Sequence, residues 1–436
     1  MSDDQLLHSR RKALQCMAFG GAGTLFALAG GVFTPIDLAV AAADKQAAAR
    51  LGKPLFVQIS DTHIGFSKDA NPDVGATLTQ TIDLVNGMPE QPALILHTGD
   101  ITHLSKPAEF DLAQQMLGRL RATEMHTVPG EHDVTDPAVA EYFNRFGKAS
   151  NNKGYYSFDH AGVHFVALIN VLQFKPGGLG TLGAEQLAWL TADLRGRSSS
   201  MPIVVFAHMP LWTIYEPWGW GTGDADQLMG ELRRFGSVTV LNGHIHQIVQ
   251  KVEGNITFHT ARSTAYPQPT AGTGPGPGPL KVPTELLAGL LGITSVSIVK
   301  HPRSLALSDA TLATGISGAV QAGAVQAGAG ASASANAGGG AASADAGTAA
   351  GSGAEGATIL LDNFMFAPMS LTVKAGSKVT WTNQDVEPHT VVSDTGLFRS
   401  GALDTNEHFS FRFDNPGTYR FTCSIHPRMV GTVIVV

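Results

Sequence analysis

The chain has 436 residues, which exceeds the usual size of one domain and predicts two domains with a connecting segment. Hydrophobic residues make up 43% of the chain and charged residues 15%, so a well-buried core is expected. The formal net charge of −7 argues against a nucleic-acid-binding protein, and no Lys/Arg run is extensive enough to argue otherwise.

Residues 1–43 have the pattern of an export signal. Arg10, Arg11 and Lys12 precede an uncharged stretch over residues 17–33, and Ala39-Val40-Ala41 offers a small-residue cleavage pattern. The paired arginines resemble a twin-arginine signal, with a plain Sec signal or an uncleaved anchor as the alternatives. We therefore expect a periplasmic or otherwise exported protein with no stable membrane span after signal removal.

Residues 44–314 are predicted to form an α/β domain, because apolar β-rich runs alternate with helical patterns. The predicted strands are residues 55–60, 94–98, 126–128, 163–170, 203–207 and 238–241. The predicted helices are residues 71–85, 108–120, 184–194 and 226–235. Loops at the carboxyl ends of such strands are where these folds keep their functional groups.

Five motifs with metal-binding side chains occur in this domain, most of them directly after a strand. They are Asp61-Thr62-His63, Gly99-Asp100, Gly130-Glu131-His132-Asp133, His208, and Gly243-His244-Ile245-His246. Carboxylates and imidazoles suit Fe, Mn and Zn, and the neighbouring glycines allow sharp turns. One such motif is weak evidence, but five in this order predict a two-metal site.

The motif set resembles the calcineurin-like metallophosphoesterases over residues 53–259, and the first two motifs are most similar to the class III cyclic-nucleotide phosphodiesterase branch. The resemblance implies an α/β/β/α sandwich that hydrolyses small-molecule phosphomonoesters or phosphodiesters with metal-activated water. It also implies the following roles. Asp61, His63 and His246 hold the first metal, Asp100 bridges, His208 and His244 hold the second, His132 is the general acid, and Asp133 orients His132.

Glu131 departs from the family pattern, which has Asn at this position. A carboxylate can still bind the second metal, but it adds a negative charge and lacks the amide donor of Asn. Our hypothesis is that Glu131 is a metal ligand that weakens phosphate affinity. A tolerated variant and an inactive site are the alternatives.

Residues 315–356 are almost wholly Ala, Gly and Ser, which predicts a flexible linker, and strand-like alternation returns in residues 357–436. This last segment combines Cys423, His426 and Met429 on one short loop with His389 upstream. Two His and one Cys with a weak axial Met is the ligand set of a blue-copper centre. The segment resembles the cupredoxins, and the ligand spacing is similar to that of amicyanin. The resemblance implies a small Greek-key sandwich and a redox partner protein.

Two functions follow from these patterns. The first is an exported phosphoesterase with two divalent or trivalent metal ions and an appended type 1 copper domain for electron transfer or copper sensing. The second is a copper protein whose phosphoesterase domain is degenerate. The filled ligand positions and the His132-Asp133 pair favour hydrolysis.

Overall fold

The structure is a computed structural model that describes residues 24–29, 32–37, 54–135, 139–150, 153–173, 178–274, 276–300, 303–313, 357–426 and 428–436. The predicted linker and the paired arginines lie outside these residues. Within them, no helix is both long enough and apolar enough to cross a membrane.

The described residues of the first domain form thirteen strands. They are β1 (Thr24–Ala29), β2 (Val32–Asp37), β3 (Pro54–Ile59), β4 (Leu94–His97), β5 (Glu124–Thr127), β6 (Tyr156–His160), β7 (Val163–Ala167), β8 (Ile203–Phe206), β9 (Val238–Asn242), β10 (Gln250–Glu253), β11 (Ile256–Thr260), β12 (Gly292–Lys300) and β13 (Arg303–Thr311). They form two sheets, ordered β2-β1-β13-β12-β3-β4-β5 and β10-β11-β9-β8-β7-β6. Strands β3, β4 and β5 are parallel, as are β7, β8, β9 and β11.

The helices cover the outer faces of the two sheets. They are α1 (Val74–Asn86), α2 (Pro107–Leu117), α3 (Val139–Phe146), α4 (Ala184–Leu194), α5 (Ala225–Leu232) and α6 (Thr284–Leu290), with short 3₁₀ helices at Glu131–Asp133, Gly147–Ser150 and Glu216–Trp218. Val85 of α1 packs on the first sheet, and Leu190 of α4 packs on the second. Phe56 and Phe206 lie in the core between the sheets. These layers confirm the predicted α/β/β/α sandwich.

The predicted elements of this domain are present with bounds shifted by a few residues. Helix α1 begins at Val74 instead of residue 71, because the Asp73 side chain accepts a hydrogen bond from the Ala76 amide and caps the helix. Strands β4 and β8 are buried along their whole length, and β3 is buried except at Pro54, as expected of strands covered on both faces. Strands β6 and β10–β13 and helices α3 and α6 were not predicted from the sequence.

Strands β1 and β2 lie inside the segment predicted as an export signal. They form an antiparallel hairpin, and β1 pairs with β13 at the edge of the first sheet. A signal is removed only after synthesis, so this pairing in the full-length chain does not test the predicted cleavage.

The C-terminal domain is an all-β sandwich. Its strands are β14 (Ala357–Asp362), β15 (Met365–Ala367), β16 (Ser370–Val373), β17 (Ser377–Asn383), β18 (Val392–Ser393), β19 (His408–Phe413), β20 (Gly417–Thr422) and β21 (Val430–Val435). They form two sheets, ordered β15-β14-β17-β19 and β16-β21-β20-β18. Alternate residues of β17 and β21 are buried around Trp381, because every second side chain faces the opposite sheet.

Candidate metal centres and the cavity between them

The metal-ligand loops meet along one edge of the two-sheet core. The loops follow β3, β4 and β5 of the first sheet and β8 and β9 of the second. Five of the predicted ligands have a left-handed backbone: Asp61 (φ 54°), His63 (40°), Asp100 (51°), His244 (71°) and His246 (53°). Residues with a Cβ rarely adopt this conformation, and such strain is characteristic of functional loops.

The first ligand group is Asp61, His63 and His246, whose ligand atoms all lie within 4.8 Å of one another. The Nε2 atoms of His63 and His246 are 3.2 Å apart, and His246 Nε2 is 3.4 Å from Asp61 Oδ1. These three residues were predicted to share the first metal, and the structure brings them together.

The second ligand group is Glu131, His208 and His244, again with ligand atoms within 4.8 Å. The Glu131 carboxylate lies between the two rings, 2.9 Å from His208 Nε2 and 2.8 Å from His244 Nδ1. Asp100 Oδ2 lies between the two groups, 3.2 Å from His208 Nε2 and 3.6 Å from His63 Nε2. This is the position expected of a bridging ligand.

The chemistry of these donors fits two metal ions. The buried Asp61 Oδ2 and His244 Nε2 have no hydrogen-bond partner, and such atoms are costly unless another ligand satisfies them. Burial and the nearby Glu131 hold the pKa of Asp100 well above its usual value. Burial opposes protonation of His208, but Asp100 and Glu131 outweigh it and raise the pKa of His208. Metal ions bound here would displace these protons, and their positive charge would balance the negative charge of the carboxylates.

Backbone carbonyl groups orient the ligand rings. His208 Nδ1 lies 2.7 Å from Thr98 O, and His246 Nδ1 lies 2.7 Å from Tyr266 O. A ring that donates from Nδ1 presents the lone pair of Nε2 to a metal. Tyr266 also packs against His63 and His246, with ring centroids 4.8 and 4.7 Å apart. No motif in the sequence identified Tyr266, because its contribution depends on packing and on a backbone oxygen.

His132 lines the cavity next to both ligand groups. Its Nδ1 lies 2.9 Å from His103 O, so this carbonyl orients the ring. We expected Asp133 to do so, but its carboxylate accepts hydrogen bonds from the amides of Ile101, Thr102 and Gly130. Asp133 therefore joins the Asp100 loop to the Glu131 loop. Burial lowers the pKa of His132 to about 4.

The C-terminal domain brings together three predicted copper ligands. The ligand atoms of His389, Cys423 and His426 lie within 4.8 Å of one another. The Nδ1 atoms of the two histidines are 3.0 Å apart, and Cys423 Sγ is 3.8 Å from His389 Nδ1. Met429 is buried in the same core, and its amide donates a hydrogen bond to His426 O. This set of thiolate and imidazole donors fits a copper ion.

Electrostatics favours the thiolate at this centre. Burial raises the pKa of Cys423, but His389 and two backbone amides outweigh it and lower the pKa overall. Asp385 Oδ2 lies 2.7 Å from His389 Nε2 and orients the ring, so that Nδ1 faces Cys423. Burial disfavours protonated His389, but Asp385 and Cys423 raise its pKa to about 9. An unlinked, buried thiol with a lowered pKa is suited to bind a metal.

The two domains contact each other next to both candidate metal centres. Lys68 donates hydrogen bonds to Val386 O and Asp404, and to Thr405 Oγ1 at 2.9 Å. Across the same boundary, Tyr266 OH lies 3.5 Å from Glu387 Oε1. The result is a shared cavity of about 430 Å³ between the domains.

The shared cavity is lined by residues of both metal centres. The phosphoesterase side contributes His63, Asp100, Glu131, His132 and His244, and the C-terminal domain contributes His426, Arg428 and Met429. Burial lowers the pKa of His426, and the charges of His389 and, across the boundary, His132 lower it further. Two separate centres were predicted from the sequence, because no pattern in either domain indicates that they face each other.

The aromatic residues after His208 have different environments. Trp218 lines the shared cavity. Trp220 is buried, and Trp212 packs against the core of the second sheet, so both are structural. His103 stacks on His132 with centroids 5.2 Å apart and belongs to the ring packing behind the site.

The fold and both ligand sets define a metallophosphoesterase domain joined to a cupredoxin-type domain, and comparison with known proteins agrees. A calcineurin-like phosphoesterase family model matches residues 54–248, and a cupredoxin-like domain model matches residues 336–435, starting inside the predicted linker. The chain thus contains a calcineurin-like phosphoesterase domain followed by a cupredoxin-like domain, and is a metal-dependent phosphoester hydrolase. This confirms the family and the fusion predicted from the sequence.

Individual relatives match one domain or the other. Over 236 residues the chain is 28% identical to glycerophosphodiester phosphodiesterase GpdQ of Enterobacter lignolyticus, covering 49% of this chain and 79% of the relative. It is 39% identical over 75 residues to amicyanin-alpha of Methylorubrum extorquens, covering 16% of this chain and 63% of that relative. It is 38% identical over 84 residues to plastocyanin of Scenedesmus fuscus, covering 16% of this chain and 86% of that relative.

Proposed function

We propose that the first domain hydrolyses phosphodiesters of small molecules at the binuclear centre. The observation that carries the proposal is the convergence of two ligand groups on Asp100, with His132 beside them in an accessible cavity. Two metal ions, of Fe, Mn or Zn, would be held by Asp61, His63 and His246 and by Glu131, His208 and His244, with Asp100 shared. Such a pair activates water and neutralises the phosphoryl charge.

His132 supports this reaction as the general acid. Its Nδ1 faces His103 O, so a neutral ring carries its proton on Nδ1 and leaves Nε2 without one. A bound anionic phosphate favours the protonated ring, because a nearby negative charge raises a histidine pKa. The protonated Nε2 then donates to the departing alcohol.

A diester substrate is favoured over a monoester by the relatives. Two of them, 28% and 24% identical, are named glycerophosphodiester phosphodiesterase and probable glycerophosphodiester phosphodiesterase, respectively. The cavity volume of about 430 Å³ is within the range of small-molecule sites. Cyclic nucleotides, which the first two motifs suggest, are diesters of suitable size.

The test is a substrate panel with the purified full-length chain. The chain is loaded with Mn, Fe or Zn and assayed with a glycerophosphodiester, a cyclic nucleotide, and an aryl monoester and diester. We expect the highest kcat/KM for one of the diesters. His132→Gln should lower kcat about 10²- to 10⁴-fold without loss of bound metal. No turnover of any ester by the metal-loaded chain would contradict the proposal and favour a degenerate phosphoesterase domain.

We propose a type 1 copper ion held by His389, Cys423, His426 and Met429, acting in electron transfer or copper sensing. Copper titration of the full-length chain should produce strong visible absorption from the copper–thiolate bond. Hydrolysis rates with and without copper test the sensing role: a change supports sensing, and equal rates rule out regulation of the hydrolase by copper.

We propose export by the twin-arginine route, with processing near residue 43. The support is the pairing of Arg10 and Arg11 ahead of an uncharged stretch. Cell fractionation of the wild-type chain and of a variant carrying Arg10→Lys and Arg11→Lys tests it. Export of both at equal rates would show that the arginine pair is not recognised by the twin-arginine export pathway.

A further inference from the structure

The shared cavity has an unfavourable charge for an anionic substrate. Its lining includes the carboxylates of Asp100, Glu131 and Glu387. Glu131 stands where the family pattern has a neutral Asn, so this chain adds one negative charge next to the position of the phosphate. A positively charged side chain in the cavity, in addition to the proposed metal ions, would offset this extra charge.

Arg428 is the only Lys or Arg among the described residues that line this cavity. It comes from the C-terminal domain and lies on the copper-ligand loop, between His426 and Met429. Its side chain is exposed, and no hydrogen bond or ion pair within the described part of the chain occupies it. The guanidinium is therefore available to a ligand.

The domain contact holds this loop over the phosphoesterase site. Phe364 packs beside His426, with ring centroids 4.9 Å apart, and fits against Gly276 and Gly278 of the first domain. Lys68 fixes the other side of the contact through Asp404 and Thr405. Packing and hydrogen bonds between the two domains, in addition to the covalent link between them, thus hold Arg428 at the cavity.

We propose that Arg428 binds the phosphate group of the substrate, so that the substrate-binding site is completed by the cupredoxin domain. An Arg guanidinium donates two parallel hydrogen bonds to phosphate oxygens and offsets the charge that Glu131 introduces. This inference rests on the proposed function for the reaction, but binding of phosphate does not require turnover.

The experiment compares Arg428→Gln and Arg428→Lys in the full-length chain. Calorimetry measures orthophosphate binding to the metal-loaded chain, and aryl diester kinetics give KM and kcat separately. We expect Arg428→Gln to raise both the phosphate Kd and the diester KM about tenfold with a smaller change in kcat. Arg428→Lys should lie between it and the wild type, because the charge remains but the paired donors do not.

Arg420→Gln is the matched control. Arg420 is an exposed arginine of the same domain that does not line the cavity and faces Asp394 at 3.8 Å. It should leave Kd and KM unchanged, and unaltered copper absorption in all variants shows that the ligand loop is intact. Wild-type values for Arg428→Gln, or an equal loss in Arg420→Gln, would overturn the inference. If no ester is hydrolysed, the proposed function fails, while the calorimetry still tests Arg428.

Discussion

Adding one methyl group at Gly130 should disable the binuclear centre without unfolding the chain. Gly130 has φ −97° and ψ 178°, a conformation that alanine adopts freely, so the substitution introduces no backbone strain. The added Cβ would lie 2.0 Å from Asp100 Oδ1 and 2.5 Å from the Asp100 amide nitrogen. The bridging carboxylate must then move by more than about 1 Å, a displacement that can cost about 10²-fold in rate.

The same displacement disrupts the hydrogen bond that Asp100 Oδ1 accepts from the His132 amide, which is 3.0 Å long. Gly130→Ala should therefore lose at least one bound metal per chain and at least about 100-fold in diester hydrolysis. Elemental analysis of the bound ions, steady-state kinetics and thermal melting measure these effects. Copper absorption should stay at the wild-type level, because the cupredoxin core is untouched.

Gly230→Ala provides the comparison. This glycine lies in α5, and a Cβ there would meet nothing within 4 Å. Alanine should leave the rate and metal content unchanged and stabilise the helix by up to about 1 kcal/mol. If Gly130→Ala kept both metals and the full rate, the close approach of this loop to the bridging ligand would not be important, and the reasoning would be refuted.

Three further predictions concern charge. Glu131→Asn should bind orthophosphate more tightly and the second metal less tightly, measured by calorimetry and metal analysis. Unchanged affinities would show that Glu131 is a tolerated variant with no effect on binding. Cys423→Ser should abolish copper absorption while both ions of the binuclear centre remain bound. Burial raises the pKa of Glu109 from 4.5 to about 7. Between these pH values the folded chain binds more protons than the unfolded chain, so its free energy of unfolding falls as pH rises from 5 to 7.5. Glu109→Gln should make the melting temperature depend less on pH. An unchanged dependence would show that a group other than Glu109 is responsible.

The proximity of the predicted metal ligands Asp61, His63 and Asp100 could be expected from the sequence, because they follow neighbouring strands of one sheet. Asp61 and His63 follow one strand and Asp100 follows its neighbour, and the carboxyl ends of parallel strands lie at the same edge. Residues at neighbouring strand ends must therefore be close. The copper ligands were predictable for a similar reason, since Cys423, His426 and Met429 share one loop.

Features that depend on packing between distant segments were not predictable. The hydrogen bonds of Asp133 go to backbone amides of another loop, so its residue type alone suggested a different partner. The docking of the two domains depends on Lys68, Phe364 and the glycines opposite, none of which belongs to a motif. Arg428 likewise acquires its place in the cavity from a contact that composition and periodicity do not encode.

The left-handed backbone of five ligand residues links metal supply to folding. Each such residue costs about 1–3 kcal/mol, a large fraction of the free energy that usually stabilises a domain. Ions that bind only the folded chain offset this cost by an amount that rises with the logarithm of their concentration. The compartment in which the chain folds therefore selects the ions, and a chain that folds before export would carry an intracellular choice of metal to its final location.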